Sequence, residues 1–224
     1  MYLDQFQKIV ELQKERVRAM KAQDDFISYD KLDKIIIGVC GGDGIGPAIT
    51  HQARRVLEYI LSGEISLGKV EFKNIDNLTI EYRAKMMKAI PDDVLEELKK
   101  CHVILKGPTT TPKKGDEWPN IESANVAMRK ALDLFANVRP VKVPEEGINW
   151  TFFRENTEGA YAAGSLGFKI DDDIAVDFTF TTEQGTERII RLAFEYARKT
   201  GQDRVTAVTK ANIIKTTDGM FLDA

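Results

Sequence analysis

The sequence predicts an α/β fold with a partly parallel sheet. Three observations carry this: a β-branched apolar run at 34–40, a glycine-rich turn directly after it, and helical periodicity from 48 to 61. A short apolar run bounded by turn residues is the pattern of a strand covered on both faces. Strands alternating with helices point to crossover units rather than to a sandwich or a bundle.

The elements follow in order. Residues 1–24 read as an amphipathic helix, with Leu3, Phe6, Val10, Val17 and Met20 at spacings of three, four and seven. Such a helix either packs on the body of the protein or serves as an arm toward a second subunit, and the first is favoured. A first strand at 34–40, a helix at 48–61 and a strand at 70–75 come next. A helix at 92–100 follows, with Pro91 as a first-turn proline. Residues 102–106 form a second buried strand. Further strands are expected at 150–153, 174–181 and 204–209, and helices at 124–135 and 183–199. The proline-marked stretch 139–147 is the expected seam between domains.

Composition narrows the function. The 224 residues hold 32 Lys plus Arg against 35 Asp plus Glu, a formal charge of −3. Nucleic-acid binders usually carry a basic excess, so none is expected as a partner. No apolar run is long enough to span a membrane, and residues 1–21 lack the core of a signal peptide. Cys40 and Cys101 lie far apart and outside metal-ligand spacing, which suits a reducing cytoplasm.

Four polar motifs are candidates for chemistry. In Gly41-Gly42-Asp43-Gly44-Ile45-Gly46-Pro47 the spacing departs from the dinucleotide fingerprint, so the glycines read as a tight strand-to-helix turn. Lys106-Gly107-Pro108-Thr109-Thr110-Thr111-Pro112 follows a predicted strand, at the sheet edge where open α/β folds keep ligands. Thr209-Lys210 closes another. The strongest set is Ser123, Asn125, Arg129, Arg139 and Arg154, followed by Tyr161. Asn125 and Arg129 are four apart and share a helix face, and Ser123 stands at that helix's start, where an anion is welcome. Three guanidinium groups at one place would suit a polycarboxylate, because each grips a carboxylate at two points. The competing reading is that each pairs with a neighbouring acid such as Asp133 or Glu155.

These blocks together resemble the isocitrate and isopropylmalate dehydrogenase family: GDGIGP at 42–47, KGPTTTP at 106–112, the stretch 123–141, FRENTEGAY at 153–161 and TKANIIKTTDG at 209–219. The resemblance covers nearly everything from residue 34 onward. It implies a two-domain α/β fold and oxidative decarboxylation of a 2-hydroxy acid with NAD or NADP and Mg²⁺ or Mn²⁺. It assigns the substrate carboxylates to Ser123, Asn125, Arg129, Arg139 and Arg154. Tyr161 becomes the proton donor to the enolate, and Lys210 a group serving the site of a second subunit. Thr109, Thr110 and Thr111 fall near the nicotinamide. The small polar Ser123 and Asn125 favour isocitrate over isopropylmalate, homoisocitrate or tartrate. A dimer-forming arm is implied near 159–177, and with it either a homodimer or a complementing C-terminal chain.

The resemblance divides the chain into a helical extension (1–30), part of the large domain (31–138) and a small domain (139–224). In the family the chain continues past the block at 216–219, so the large domain is expected to be incomplete. The family's metal-binding aspartates are expected outside these residues, and none is assigned here. An enzyme portion and a non-catalytic truncated or split-gene subunit are therefore both carried forward.

Overall fold

A computed structural model describes residues 2–22, 27–113 and 115–224. The chain divides into two compact units. One runs to Leu132, and the other joins the first helix to Asp133–Ala224. The helix α1 (Tyr2–Ala22) therefore belongs with the later residues. Its buried centre is Ile9, 1% exposed, whereas Leu3 is 76% exposed, so the packed stripe is rotated from the one its apolar spacing suggests. Met1, Gln23 and Asp24, which complete the expected helix, lie outside the described residues.

The unit ending at Leu132 is built on a parallel sheet of β1 (Ile35–Cys40), β2 (Val70–Asn74) and β3 (Val103–Lys106), in the order β2-β1-β3. Gly38 of β1 stands opposite Lys73 on one side and Ile104 on the other. Helix α2 (Gly46–Ile60) starts with Pro47 in its first turn, two residues before the expected start. Proline suits that position, where its missing N–H costs no hydrogen bond. The short α3 (Ser62–Ser66) leads back to β2. Helix α4 (Ile80–Met86), absent from the expected elements, is capped by Thr79, which accepts from the Tyr82 N–H. Next is α5 (Asp92–Lys99), with Pro91 just outside the helix as its cap and Asp92 and Asp93 at the positive end of its dipole.

The last helix of this unit, α6 (Ala124–Ala131), stops four residues short of the expected end. Asp133 turns to a left-handed φ of 46°, which no helix can continue through. One core cluster joins Cys40, Ile75, Leu78, Ile90, Val94, Leu98, Ala124 and Met128. Burying a side chain such as Leu98 stabilises by about 1.5–3 kcal/mol. The cluster seats α6 beside Cys40, the last residue of β1, so α6 lies at the carboxyl end of the sheet.

The second unit contains an antiparallel ribbon of β4 (Ala136–Val143) and β5 (Ile148–Glu155). The expected seam at 139–147 is therefore mostly strand β4 and its turn, and the division falls between Leu132 and Asp133. A single turn, α7 (Ala160–Ala163), follows. The expected strand 174–181 is ladder only at β7 (Ala175–Val176), paired with β6 (Phe168–Lys169), plus one bridge from Phe180 to Gly159. Helix α8 (Glu183–Thr200) begins at Thr182, which accepts from the Gly185 N–H, and ends at Gly201 with φ 70°.

The expected strand 204–209 forms no ladder, and Val208 there is 86% exposed. Its apolar alternation is real, but among the described residues no strand lies beside it to take the hydrogen bonds. The closing helix is α9 (Thr217–Asp223). Among the described residues no helix is long and apolar enough to cross a membrane.

Candidate active site

In the first unit, the loops leaving β1 and β3 pack against each other backbone to backbone. A Cβ at Gly42 would lie 2.0 Å from the Pro108 carbonyl oxygen, and one at Gly107 would lie 2.1 Å from that of Gly41. These glycines thus make room for the chain itself.

Asp43, in the middle of that turn, is a residue the motif reading passed over. Its carboxylate accepts from the Ile80 N–H at 2.8 Å and from the Thr110 N–H at 2.7 Å. Its own N–H donates to the Pro108 carbonyl at 2.8 Å. The Lys106 ammonium donates to the Thr109 hydroxyl at 3.1 Å and to the Gly107 carbonyl at 2.7 Å. Burial lowers the Lys106 pKa, and the charges of Arg83 and Arg129 push it the same way against opposing effects of Cys40 and Asp43. Arg129 therefore stands within electrostatic reach of Lys106. Thr110 and Thr111 are exposed at the rim.

Ser123 is the N-cap residue of α6, yet its hydroxyl makes no cap hydrogen bond. Asn125 and Arg129 are half-buried one turn apart on α6. No ion pair forms at Arg129 among the described residues.

In the second unit, Arg139 on β4 faces Phe152, and Arg154 on β5 faces Asn137. The pairs are two positions apart, so both arginines lie on one face of the ribbon as diagonal neighbours. Arg139 donates to Asn137 at 2.8 Å and Arg154 to Asn156 at 2.7 Å, and neither meets a carboxylate among the described residues. The Arg154 guanidinium lies over the Tyr161 ring, 5.4 Å from its centre. Tyr161 is 44% exposed.

The acids expected to neutralise these arginines are taken elsewhere. Asp133 pairs with Arg188, and Glu155 accepts from the Thr157 hydroxyl and from the N–H groups of Thr157 and Glu158. Burial raises the Glu155 pKa in spite of those bonds.

Among the described residues no hydrogen bond or ring contact joins Lys210 to Arg139, Arg154 or Tyr161. Lys210 lies on an exposed loop, its N–H donating to Asp218 at 2.7 Å. Asp218 also accepts from the Thr209 hydroxyl, at 3.2 Å. The described residues contain no group of three or more His, Cys, Asp or Glu side chains placed to hold a metal ion. They do not fit the divalent cation that the resemblance implies.

The parallel sheet, with the Thr110 loop and the Ser123 helix at its carboxyl end, is that of an α/β protein. Its family follows from comparison. The description "Isocitrate/isopropylmalate dehydrogenase" fits residues 36–224, and the chain belongs to that family. It is 34% identical over 201 residues to the homoisocitrate dehydrogenase of Methanocaldococcus jannaschii, covering 83% of this chain and 54% of that protein. It is 34% identical over 194 residues to subunit 2 of the mitochondrial NAD isocitrate dehydrogenase of Schizosaccharomyces pombe, covering 84% and 47%. The crystal structure of isocitrate dehydrogenase from Methylococcus capsulatus matches with a TM-score of 0.67 at 35% identity, over 84% of this chain and 55% of that one. The chain spans about half the length of the curated relatives it matches.

Proposed function

We propose that this chain supplies the carboxylate-binding part of a decarboxylating dehydrogenase for isocitrate. The observation that carries the reading is that Arg129, Arg139 and Arg154 all lack an acidic partner among the described residues, although acids lie close in sequence. Arg129 is half-buried, where a cation without a counter-ion is costly, while Arg139 and Arg154 are exposed, and a ligand with several carboxylates gives such guanidinium groups bidentate partners. Ser123 and Asn125 contribute an uncommitted hydroxyl and an amide on the same helix as Arg129. Both suit a third carboxylate better than an isopropyl group.

In this reading Ser123, Asn125, Arg129, Arg139 and Arg154 hold the substrate. Tyr161 gives a proton to the carbon from which CO₂ departs, its ring held against Arg154. Lys210 takes up the hydroxyl proton in the site of a second subunit. Thr109, Thr110 and Thr111 line the approach of a nicotinamide cofactor, which when bound accepts the hydride. No step is assigned to a metal ion. A second reading, homoisocitrate, is favoured by the equal identity to the M. jannaschii enzyme. The two acids share three carboxylates and differ by one methylene.

The test is a calorimetric series on the 224-residue chain with isocitrate, homoisocitrate, isopropylmalate and tartrate. Tighter binding of the tricarboxylates than of the dicarboxylates supports the reading. Equal or reversed affinities would sink it.

A further inference from the structure

We infer that Arg83 is a positioning residue: it ties the Thr110 loop and the entrance to the Ser123 helix to one rigid group. The inference rests on the substrate site proposed above and adds to it a residue that touches no ligand.

Arg83 lies on α4 and is 0% exposed. A guanidinium remains charged at any ordinary pH. Burying it is costly unless its donors are satisfied, and burial pulls its pKa below the usual arginine value. Its hydrogen-bond acceptors here are three main-chain carbonyls. Nε donates to Ala89 at 2.7 Å, one terminal nitrogen to Thr110 at 2.8 Å and the other to Glu122 at 3.1 Å. Ala89 belongs to the turn that follows its own helix. Thr110 and Glu122 are different: one is in the middle of the threonine loop, and the other immediately precedes Ser123.

Asp43 completes the arrangement. It accepts from the Thr110 N–H, while Arg83 donates to the Thr110 carbonyl, so the loop is held on both sides of that residue. Its other oxygen accepts from the Ile80 N–H at the start of α4, the helix that carries Arg83. The circuit Asp43, Ile80, Arg83, Thr110 and back to Asp43 is closed within one unit. An arginine that served only to fill the core would brace helices and strands. This one braces two loops at the carboxyl end of the sheet, where α/β folds bind ligands. The planar fork fixes the spacing between those loops, which the single tetrahedral head of lysine cannot do.

The experiment compares wild type, Arg83→Lys and Arg129→Ala in the full chain. Isocitrate affinity, the melting midpoint and amide exchange at Thr110 are measured on each. The expected result is at least a tenfold loss of affinity in Arg83→Lys with its melting midpoint within a few degrees of wild type, and faster exchange at Thr110. A folded Arg83→Lys that binds isocitrate as wild type does, with Thr110 exchange unchanged, overturns the inference. If wild type fails to bind isocitrate, or Arg129→Ala binds it undiminished, the proposed site is wrong, and Thr110 exchange in Arg83→Lys still decides the role of Arg83. Should Arg83→Lys not fold, wild-type exchange decides. Thr110 protection matching the most stable core amides upholds the circuit, and free exchange refutes it.

Discussion

Arg188 holds Asp133 by two hydrogen bonds, 2.6 and 3.0 Å long, with its guanidinium 4.4 Å from the centre of the Phe135 ring. This pairing explains how an acid only four residues beyond Arg129 leaves that arginine uncommitted. It also joins α8 to the chain just before β4, and the same guanidinium donates to Thr157 at 2.9 Å.

Arg188→Met should therefore destabilise the fold strongly. Removing one partner of a fully buried pair costs ~3–5 kcal/mol, and the 29% exposure of the Asp133 side chain lowers this to about 2–3 kcal/mol. Urea denaturation measures it. A loss under ~0.5 kcal/mol, the level of an ordinary surface change, would show that the pair contributes little.

The glycines of the β1 and β3 loops should separate by mechanism. Gly44 has φ 59° but open space around it, so Gly44→Ala should cost about 1 kcal/mol of backbone strain. At Gly107 the added methyl would meet the Gly41 carbonyl oxygen at 2.1 Å, so Gly107→Ala should cost ~3 kcal/mol or more. Denaturation midpoints of the two variants check the order, and a reversed order would deny the close approach of the two loops.

Acid should weaken the first unit through Glu97. Its hydrogen bonds to Lys100 and then Lys73 lower its pKa from 4.5 to about 2. The folded state thus binds fewer protons than the unfolded state between those values. The stabilisation is whole above 4.5 and is lost as the pH falls through about 2. Glu97→Gln should flatten the stability profile over this window, and an unchanged profile would show that the lysines do not hold the carboxylate.

Much of this was readable in advance, for stated reasons. β1, α2, β2, α5, β3 and α8 announce themselves because their apolar residues recur with the right period, even in α2, where Ile49, Val56 and Ile60 are exposed. β4 did not, since Pro140 interrupts it and its central residues are exposed on both faces, leaving no alternation to see. The stretch 204–209 misleads for the converse reason, because alternation marks a strand only when a partner is present. Ser123, Asn125 and Arg129 could be grouped from helical spacing alone. Arg83 could not, because a buried arginine bonded to carbonyls leaves no trace in composition or period. The one available hint was Thr79, a capping residue that marks the start of the helix on which Arg83 sits. Asp43 was hidden among glycines that drew attention to a phosphate.

The central claim is the proposal that Arg129 and Arg154 each take a carboxylate of isocitrate. Isocitrate should be titrated calorimetrically into wild type, Arg129→Ala and Arg154→Ala. A charge-assisted contact contributes ~1.5–3 kcal/mol, which is about a tenfold to hundredfold change in affinity. The account predicts a loss in that range from each substitution, on a single binding event of one isocitrate per chain. A loss from one substitution with none from the other would contradict it.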